Sequence, residues 1–451
     1  MKKIISVILA IILTVSCIPF ASAALRGDVD GNGKVNSSDA LRVLQYAVGQ
    51  IASIPTAKAD VNSDGKVNSS DALIILQISV GLINNVKAGF IFLHDENSTY
   101  DKNFMTAAAE ACRKTGTEII SIINVPESSA CYDAAEELVE KGCDIIFADS
   151  FGHEDFMIQA AKDFPNVEFV HATGTKAHTE KLSNYHNAYA AIYEGRYLSG
   201  IAAGMKLNEM IADGRFQASE AKLGFVGSFT YAEVISSYTA FYLGAKSVCP
   251  TATMDVLFTG SWYDETAEKE AAEQLIYQGC KLISQYSDSM GAPMACEYSG
   301  IPNISYNGST ESWCPNTYIT TTKIDWTPYF TYAITCVQNG KAIDTDYTGT
   351  LADGSVVIEN LNNSVAASGT QAVLDSAISN LKSGTLHVFD TSTFTVYGKK
   401  VKSYKADVDT DEGYTPDTEV ISDGYFHESE FRSAPYFDLR TDGIILYNEK
   451  F

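Results

Sequence analysis

The distribution of apolar and polar residues changes twice along this chain. Residues 4–15 form one apolar run behind Lys2 and Lys3. Residues 28–81 are polar loops that each lead into a short apolar helix, expected at residues 40–49 and 72–81. From residue 87 onward, short apolar runs alternate with longer amphipathic segments. The pattern predicts a leader, a small helical module and a large region of mixed strands and helices.

The large region contains two series of alternating strands and helices. In the first series, strands are predicted at residues 88–93, 117–123, 144–148 and 167–170, with helices at 101–116, 130–141 and 153–164. In the second, strands are predicted at 221–227, 253–258 and 281–285, with helices at 232–247 and 264–278. Such alternation is typical of doubly wound parallel sheets. It predicts an α/β fold of two lobes, roughly 87–205 and 221–330, with return crossings after residue 330 and a ligand cleft at the carboxyl ends of the strands.

The first 23 residues have the features of a secretory signal peptide. The Lys2-Lys3 start, the apolar run and the small residues Ala21-Ser22-Ala23 follow in the expected order. The apolar run is too short for a permanent membrane span. We therefore expect a secreted or cell-surface protein. Cys17 leaves lipoprotein anchoring open as an alternative, although Thr14-Val15-Ser16-Cys17 lacks an aliphatic residue three positions before the cysteine.

Charge and cysteine content narrow the function classes. The chain has 56 acidic and 32 basic residues, a formal net charge of −24. This charge argues against nucleic acid as a partner, because phosphate binding requires clustered Lys and Arg. Eight of the nine cysteines follow the leader, and none forms a metal-binding pattern, so buried thiols are favoured over a disulfide framework.

A twelve-residue acidic loop occurs twice, 32 residues apart. Residues 28–39 read DVDGNGKVNSSD and residues 60–71 read DVNSDGKVNSSD. Calcium loops need oxygen ligands at alternating positions and a glycine at the sixth position, which is Gly33 or Gly65 here. We expect two Ca²⁺ ions, with Lys34 and Lys66 contributing only backbone carbonyls. The predicted ligands are Asp28, Asp30, Asn32, Lys34, Asn36 and Asp39 in the first loop, and Asp60, Asn62, Asp64, Lys66, Asn68 and Asp71 in the second.

Together the two loops and their helices, residues 26–83, resemble a type I dockerin. That resemblance implies a small all-α module with two EF-hand-like calcium loops, which binds a cohesin domain of a scaffolding protein in a cellulosome. Loop positions 10 and 11 and residues along the following helix contact the cohesin in that family, and here the loop positions are Ser37, Ser38, Ser69 and Ser70. Helix N-capping by these serines is the simpler alternative. The module opens the chain, whereas dockerins more often close one.

Three segments of the large region resemble the basic membrane protein family of ABC transporter substrate-binding proteins. They are YDKNF at 100–104, EGRYLSG at 194–200 and GSWYDETAEKEAAEQLIYQGCKLISQYSDS at 260–289. The resemblance implies a type I periplasmic-binding-protein fold over residues 87–451. It also implies a non-catalytic protein that captures a small ligand, with a purine nucleoside as the best candidate and an ABC permease as a further partner.

Candidate cleft residues follow the predicted strands or fall in these motifs. Aromatic side chains would stack on a base, and polar side chains would bind ribose hydroxyls and ring nitrogens. Phe104 as a core residue, Asp288 as a helix N-cap and Asn307 as a turn residue are the alternatives for those three. The candidates are Asn97, Tyr100, Phe104, Ser150, Phe151, Trp262, Asp288, Asn307, Lys323 and Trp326.

Two other functions remain possible from the sequence. A polysaccharide-degrading enzyme would suit a dockerin, but hydrolysis needs two convergent carboxylates, and no predicted strands place such a pair. No nucleophile elbow, zinc-protease motif or P-loop is present. A structural or sensing component, with a cleft that is vestigial or takes a different ligand, is the second alternative.

Overall fold

A computed structural model describes residues 26–451 except 63, 360, 409–412 and 414. The predicted signal peptide and Cys17 therefore lie outside the described residues. The chain divides into two compact units, each described by itself. The boundary along the chain lies between Asn85 and Val86. Within the described residues, no helix combines the length and the apolar character that a membrane crossing requires.

The first unit consists of the helices α1 (Ser37–Ala47), α2 (Thr56–Ala59) and α3 (Ser69–Ser79). α1 begins three residues earlier than predicted, because Asn36 accepts a hydrogen bond from the Ser38 N–H and forms a capping box with Asp39. Asn68 caps α3 in the same way. The asparagines, and not the loop serines, are therefore the N-caps. The core of this unit is small: Val29, Ala40, Val43, Ala59, Val61, Ala72 and Ile75.

The second unit begins with a parallel sheet of six strands, in the order β11 (Asp346–Gly349), β5 (Tyr185–Ala190), β4 (Glu168–Ala172), β3 (Ile145–Ala148), β1 (Lys87–Ile91) and β2 (Glu118–Ile122). The central strand β3 is buried on both faces, which explains its continuous apolar run, whereas the burial of the edge strand β2 alternates. Its elements are β1 (Lys87–Ile91), α4 (Thr99–Thr115), β2 (Glu118–Ile122), α5 (Ala130–Glu140), β3 (Ile145–Ala148), α6 (Glu154–Asp163), β4 (Glu168–Ala172), α7 (Ala177–Glu180) and β5 (Tyr185–Ala190).

A second sheet of seven strands has the order β12-β10-β9-β8-β6-β7-β17 and is parallel except for the β10–β12 pair. Helix α8 (Ile192–Ala212) leads into it. Its elements are β6 (Lys222–Gly227), α9 (Ala232–Val248), β7 (Thr253–Phe258), α10 (Glu265–Tyr277), β8 (Leu282–Tyr286), α11 (Gly291–Ser299), β9 (Asn303–Tyr306) and β10 (Tyr318–Ile324). The predicted α/β fold with two doubly wound lobes is confirmed.

After β10 the chain crosses between the lobes again. Helix α12 (Thr327–Gln338) and β11 (Asp346–Gly349) return to the first lobe, and β12 (Val356–Ile358) joins the second sheet. Helix α13 (Thr370–Lys382) precedes a C-terminal segment of short strands. These are β13 (Lys405–Ala406), β14 (Thr418–Glu419), β15 (Ile421–Ser422) and β16 (Tyr425–Phe426), followed by β17 (Ile444–Tyr447) at the edge of the second sheet.

Helices α8 and α9 cross at a pair of glycines. A Cβ atom at Gly200 would overlap the backbone carbonyl oxygen of Phe241, and one at Gly244 would overlap that of Tyr197. The two backbones therefore approach more closely than any residue other than glycine permits at these positions. Because α8 carries the chain from the first sheet to the second, this crossing fixes one of the connections between the lobes.

Candidate ligand cleft and calcium loops

The first acidic loop folds around its own carboxylates. Asp28 accepts the Asn32 and Gly33 N–H groups at 2.9 and 3.0 Å, and Asp39 accepts those of Asp30 and Asn36 at 3.0 and 2.9 Å. One carboxylate oxygen from each of Asp28, Asp30 and Asp39 lies within 4.8 Å of the other two. Three converging carboxylates on a glycine-containing turn are the ligand set of a Ca²⁺ loop.

The second loop has the same hydrogen-bonding pattern. Asp60 accepts the Asp64 and Gly65 N–H groups at 3.1 and 3.0 Å, and Asp71 accepts the Asn68 N–H at 2.8 Å. Burial, together with the nearby carboxylates of Asp60 and Asp64, raises the pKa of Asp71. A bound divalent cation would remove that repulsion. The residues of both loops therefore fit calcium, and Lys34 and Lys66 can offer backbone carbonyls only.

An apolar stripe follows the loop serines on each helix of this unit. Ser37 and Ser38 are exposed in the first turn of α1, as Ser69 and Ser70 are in α3. Each pair precedes exposed apolar residues at helical spacing, a feature that the sequence analysis missed although it repeats with the 32-residue period. The exposed residues are Leu41, Leu44 and Val48 on α1, and Leu73, Leu76 and Val80 on α3.

A cleft with about 400 Å³ of empty space, part of it open to solvent, lies between the carboxyl ends of the two sheets. Its walls are aromatic and acidic, and none of its described lining residues is Lys, Arg or His. The first lobe contributes Leu93, Tyr100, Asp101, Asp149, Ser150, Phe151 and Thr173, and the second contributes Glu233, Trp262, Tyr286, Asp288 and Tyr306.

Five of the predicted ligand residues lie in this lining. Tyr100 donates its hydroxyl to the Asp149 backbone carbonyl at 2.7 Å, and Ser150 donates to Glu127 at 2.6 Å. Trp262 is half-buried, and its backbone carbonyl accepts the Asp288 N–H at 3.0 Å. Asp288 is not an N-cap, because that position of α11 belongs to Met290. The fifth residue is Phe151.

Four predicted residues lie elsewhere. Phe104 and Trp326 are buried in the core, with their ring centroids 4.9 Å apart, because α4 and α12 turn these faces toward each other. Lys323 lies within β10, not after it, and pairs with Glu359 at 2.8 Å. Asn97 is exposed and bonds to Asp95.

Asn307 has an unusual environment next to the cleft. It follows the cleft residue Tyr306 and adopts a left-handed φ of 58°, as the turn alternative anticipated. Its side chain is only 2% exposed, yet neither amide atom has a hydrogen-bond partner in the protein. The same holds for the Tyr306 hydroxyl and for Asp149 Oδ2. Buried polar atoms are rarely left unpaired, so these atoms are positions for ligand or solvent hydrogen bonds.

The sequence analysis missed the acidic character of the cleft. Asp149 ends the apolar run of β3, and Asp101 belongs to the YDKNF segment, so both had a recognisable signal. Glu233 had none, because it reaches the cleft from the first turn of α9. Its Oε1 accepts hydrogen bonds from Tyr286 at 2.5 Å and Tyr189 at 2.8 Å.

Burial controls the charge of these groups. Burial first, and then the adjacent Asp101, raises the pKa of Asp149 well above its usual value. Burial also raises the pKa of Asp288 well above its usual value, and Asp101 and Glu268 add to this effect. Burial opposes ionisation of Asp101, but its hydrogen bonds with His94 and Ser98 outweigh burial and lower its pKa. A protonated Asp149 beside an ionised Asp101 supplies both a donor and acceptors.

Contacts across the cleft hold the lobes in a closed arrangement. The Thr99 N–H donates to the Asp288 carbonyl at 2.9 Å. The rings of Phe151 and Tyr231 stack with centroids 4.9 Å apart. A ligand in this cleft would be enclosed by aromatic faces from both lobes.

Comparison with known proteins identifies both units. Residues 90–383 match the family described as ABC transporter substrate-binding protein PnrA-like. The chain belongs to that family. Residues 26–77 match the type I dockerin domain. Type I dockerins bind calcium, so the first unit is a calcium-binding module, and the second is a substrate-binding protein with a dockerin attached.

Three curated relatives differ in their ligands. The chain is 31% identical to the purine-binding protein BAB2_0673 of Brucella abortus over 56% of this chain and 69% of that one. It is 24% identical to the ABC transporter nucleoside-binding protein BmpA of Lactococcus lactis over 49% and 60% of the two chains. A Haloferax volcanii transporter protein named for glucose binding is 33% identical over 46% and 49%.

Solved structures agree on the fold. A solute-binding protein from Aeropyrum pernix superposes with a TM-score of 0.58 at 15% identity, over 67% of this chain and 93% of its own. One from Conexibacter woesei gives 0.55 at 20% identity, over 67% and 98%. These similarities support the two-lobed binding-protein architecture.

Proposed function

We propose that the second unit, residues 87–451, captures a purine nucleoside in the cleft without transforming it. The observation that carries this proposal is the composition of the cleft wall. Phe151 and Trp262 offer aromatic faces for a flat base. Asp149 and Asn307 have side-chain atoms without protein partners, and Asp288 adds a carboxyl group to the lining, so together they can bind ribose hydroxyls and ring nitrogens.

The charge of the cleft defines what it excludes. Four of its lining side chains are carboxylic acids and none of the described ones is basic. A phosphate group would therefore meet the ionised Asp101 and no positive charge, so we expect nucleosides to bind in preference to nucleotides. The purine-binding and nucleoside-binding relatives support the same ligand class.

The test is calorimetric titration of the full chain with adenosine, guanosine and inosine, each compared with its free base and its 5′-monophosphate. We expect nucleosides to bind and the monophosphates to bind at least about tenfold more weakly, a difference of about 1.4 kcal/mol. Ribose and glucose complete the panel. Preferential binding of glucose would contradict the nucleoside assignment and identify a sugar as the ligand. If none of these compounds binds, the result would favour a vestigial cleft.

We further propose that the dockerin, residues 26–83, binds two Ca²⁺ ions and tethers the chain to a cohesin domain of a cellulosomal scaffold. The docking face comprises the loop serines and the exposed apolar residues of α1 or of α3, which form two equivalent copies. Exposed apolar side chains in a row mark a protein-binding surface. The protein would then act outside the cell, in a cellulosome or at the cell surface, with an ABC permease as a further partner.

A further inference from the structure

A second cavity lies under the C-terminal segment, and most of its lining residues follow residue 383, where the match to the family ends. It has about 570 Å³ of empty space, part of it open to solvent, and shares no lining residue with the cleft. The start of α8 and the end of α13 form one side, and residues 384–430 form the rest. Three carboxylates line it, Glu194, Glu428 and Glu430, and none of its described lining residues is Lys or Arg.

Glu428 is the unusual member of this set. Its side chain is 2% exposed, and Oε1 accepts the Tyr436 N–H at 3.0 Å, but Oε2 has no hydrogen-bond partner. Arg432 and the Ser236 hydroxyl are close enough to favour the ionised form, yet neither bonds to Oε2. Burial outweighs them and raises the pKa of Glu428 to about 8. A buried carboxyl group without a partner is costly and needs a compensating cation or donor.

The other two carboxylates are held at the edge of the cavity. Glu194 Oε2 accepts the Leu351 N–H at 2.8 Å, and Glu430 pairs with His427 at 2.7 Å. Aromatic rings complete the wall: Tyr425 stacks on His387 with centroids 3.7 Å apart, and Tyr193 lies 5.4 Å from Phe389. Carboxylates together with aromatic rings attract ammonium groups through both charge and the ring quadrupole.

We propose that this cavity binds a small organic cation of the aliphatic amine class, with an ammonium group on Glu428 and the alkyl chain against Tyr193 and Phe389. The geometry favours an amine over a sugar, because Glu428 Oε2 is buried without a hydrogen-bond partner and two further carboxylates line the same cavity. The carboxylates Glu194 and Glu430 would then accept a second ammonium group. This site is independent of the nucleoside cleft.

The experiment is calorimetric titration of the full chain, in buffer with saturating calcium, with 1,4-diaminobutane. Butane-1,4-diol has the same length without charge and serves as the matched control. We expect the diamine to bind and the diol to bind at least about tenfold more weakly. Because Glu428 is protonated before binding at pH 7 and ionised afterwards, binding should release close to one proton, measured by repeating the titration in buffers of different ionisation enthalpy. Diamine affinity should rise between pH 6.5 and 8.5.

Variants separate this site from the cleft. Glu428→Gln keeps an acceptor for the Tyr436 N–H but cannot ionise. Diamine binding to this variant should therefore release no proton and be at least about tenfold weaker. Glu311→Gln, an exposed carboxylate outside the cavity, should leave binding unchanged, as should Trp262→Ala in the cleft. Equal binding of diamine and diol, or binding without proton release that survives Glu428→Gln, would overturn the proposal. The proposal would also be overturned if the unsubstituted protein binds its nucleoside but does not bind the diamine.

Discussion

Both units of this chain gather carboxylates, but they surround them differently. In the dockerin the acids lie on two short loops beside a core of only seven buried apolar residues, and Asp28, Asp39 and Asp71 are buried against that core. In the substrate-binding unit Asp149 and Asp288 are enclosed between two large sheets, and burial raises their pKa. A small core cannot hold ionised groups together without a metal, whereas a large one can hold them protonated. We therefore expect the stability of the first unit to depend on calcium, and that of the second on pH.

Calcium removal is expected to have the largest effect of all, and it tests the contrast between the two units directly. Chelation should unfold residues 26–83, because the uncompensated carboxylates repel one another and the core is small. The second unit should be unaffected. Hydrogen exchange of the full chain, read by mass spectrometry, measures both units at once. Amides of α1 and α3 should lose their protection, while those of β1–β10 should keep it.

A matched variant checks that the ion, and not the chelator, is responsible. Asp39→Asn with Asp71→Asn should expose the same amides even in calcium, since each aspartate closes its loop. Protection of α1 and α3 that persists in chelator would show that seven buried residues suffice without metal.

The repeated helices allow a second test, on cohesin binding. Leu41→Asp with Leu44→Asp should leave affinity for a cohesin within about threefold, because α3 presents an equivalent face. Adding Leu73→Asp and Leu76→Asp should abolish detectable binding, since a buried charge at an interface is costly. Surface plasmon resonance on an immobilised cohesin measures both. A full loss from the first pair alone would mean that only α1 docks.

Within the cleft, Trp262→Ala should weaken nucleoside binding by roughly 1–3 kcal/mol, the range for base–aromatic stacking. Trp313→Ala is the matched control, because Trp313 is 70% exposed and does not line the cleft. Titration calorimetry of both variants gives the dissociation constants. An unchanged constant for Trp262→Ala would remove this residue from the site.

The smallest effect concerns pH. Glu428 has a pKa of about 8 in the folded unit, against an ordinary 4.5, so the folded state keeps a proton that the unfolded chain loses. The free energy of unfolding of the second unit should therefore fall by about 1–2 kcal/mol between pH 6.5 and 8. Asp149 and Asp288 act in the same direction. His153, whose pKa is lowered to about 4, opposes this only below pH 6.5.

Urea unfolding in saturating calcium measures this slope, and Glu428→Gln should flatten it. The dockerin should show the opposite trend, since its aspartates must be ionised to bind calcium. Parallel pH profiles for the two units would refute the contrast between them.

Most of the predictions were made from local sequence patterns. The candidate calcium ligands were predicted from spacing within twelve residues, and the two-lobed fold was predicted from strand–helix alternation. Residues directly after a strand, such as Ser150 and Asp288, reach the cleft because parallel strands end at one edge of a sheet. Phe104 shows the limit: a motif places it on a helix but does not say which face packs against α12. The position of Glu233 in the cleft depends on how α9 packs in three dimensions, so it could not be predicted from a local sequence pattern.

The glycine crossing of α8 and α9 has a consequence for how this fold can change. At Gly200 and Gly244 the obstacle to a larger residue is the partner's main chain, not a side chain. A second substitution on the facing helix therefore cannot create room for the first. The sheets, the cleft lining and the C-terminal cavity can vary one residue at a time, but this junction cannot. Laboratory evolution of a new ligand specificity should accordingly change the walls of the cleft and leave these two glycines untouched.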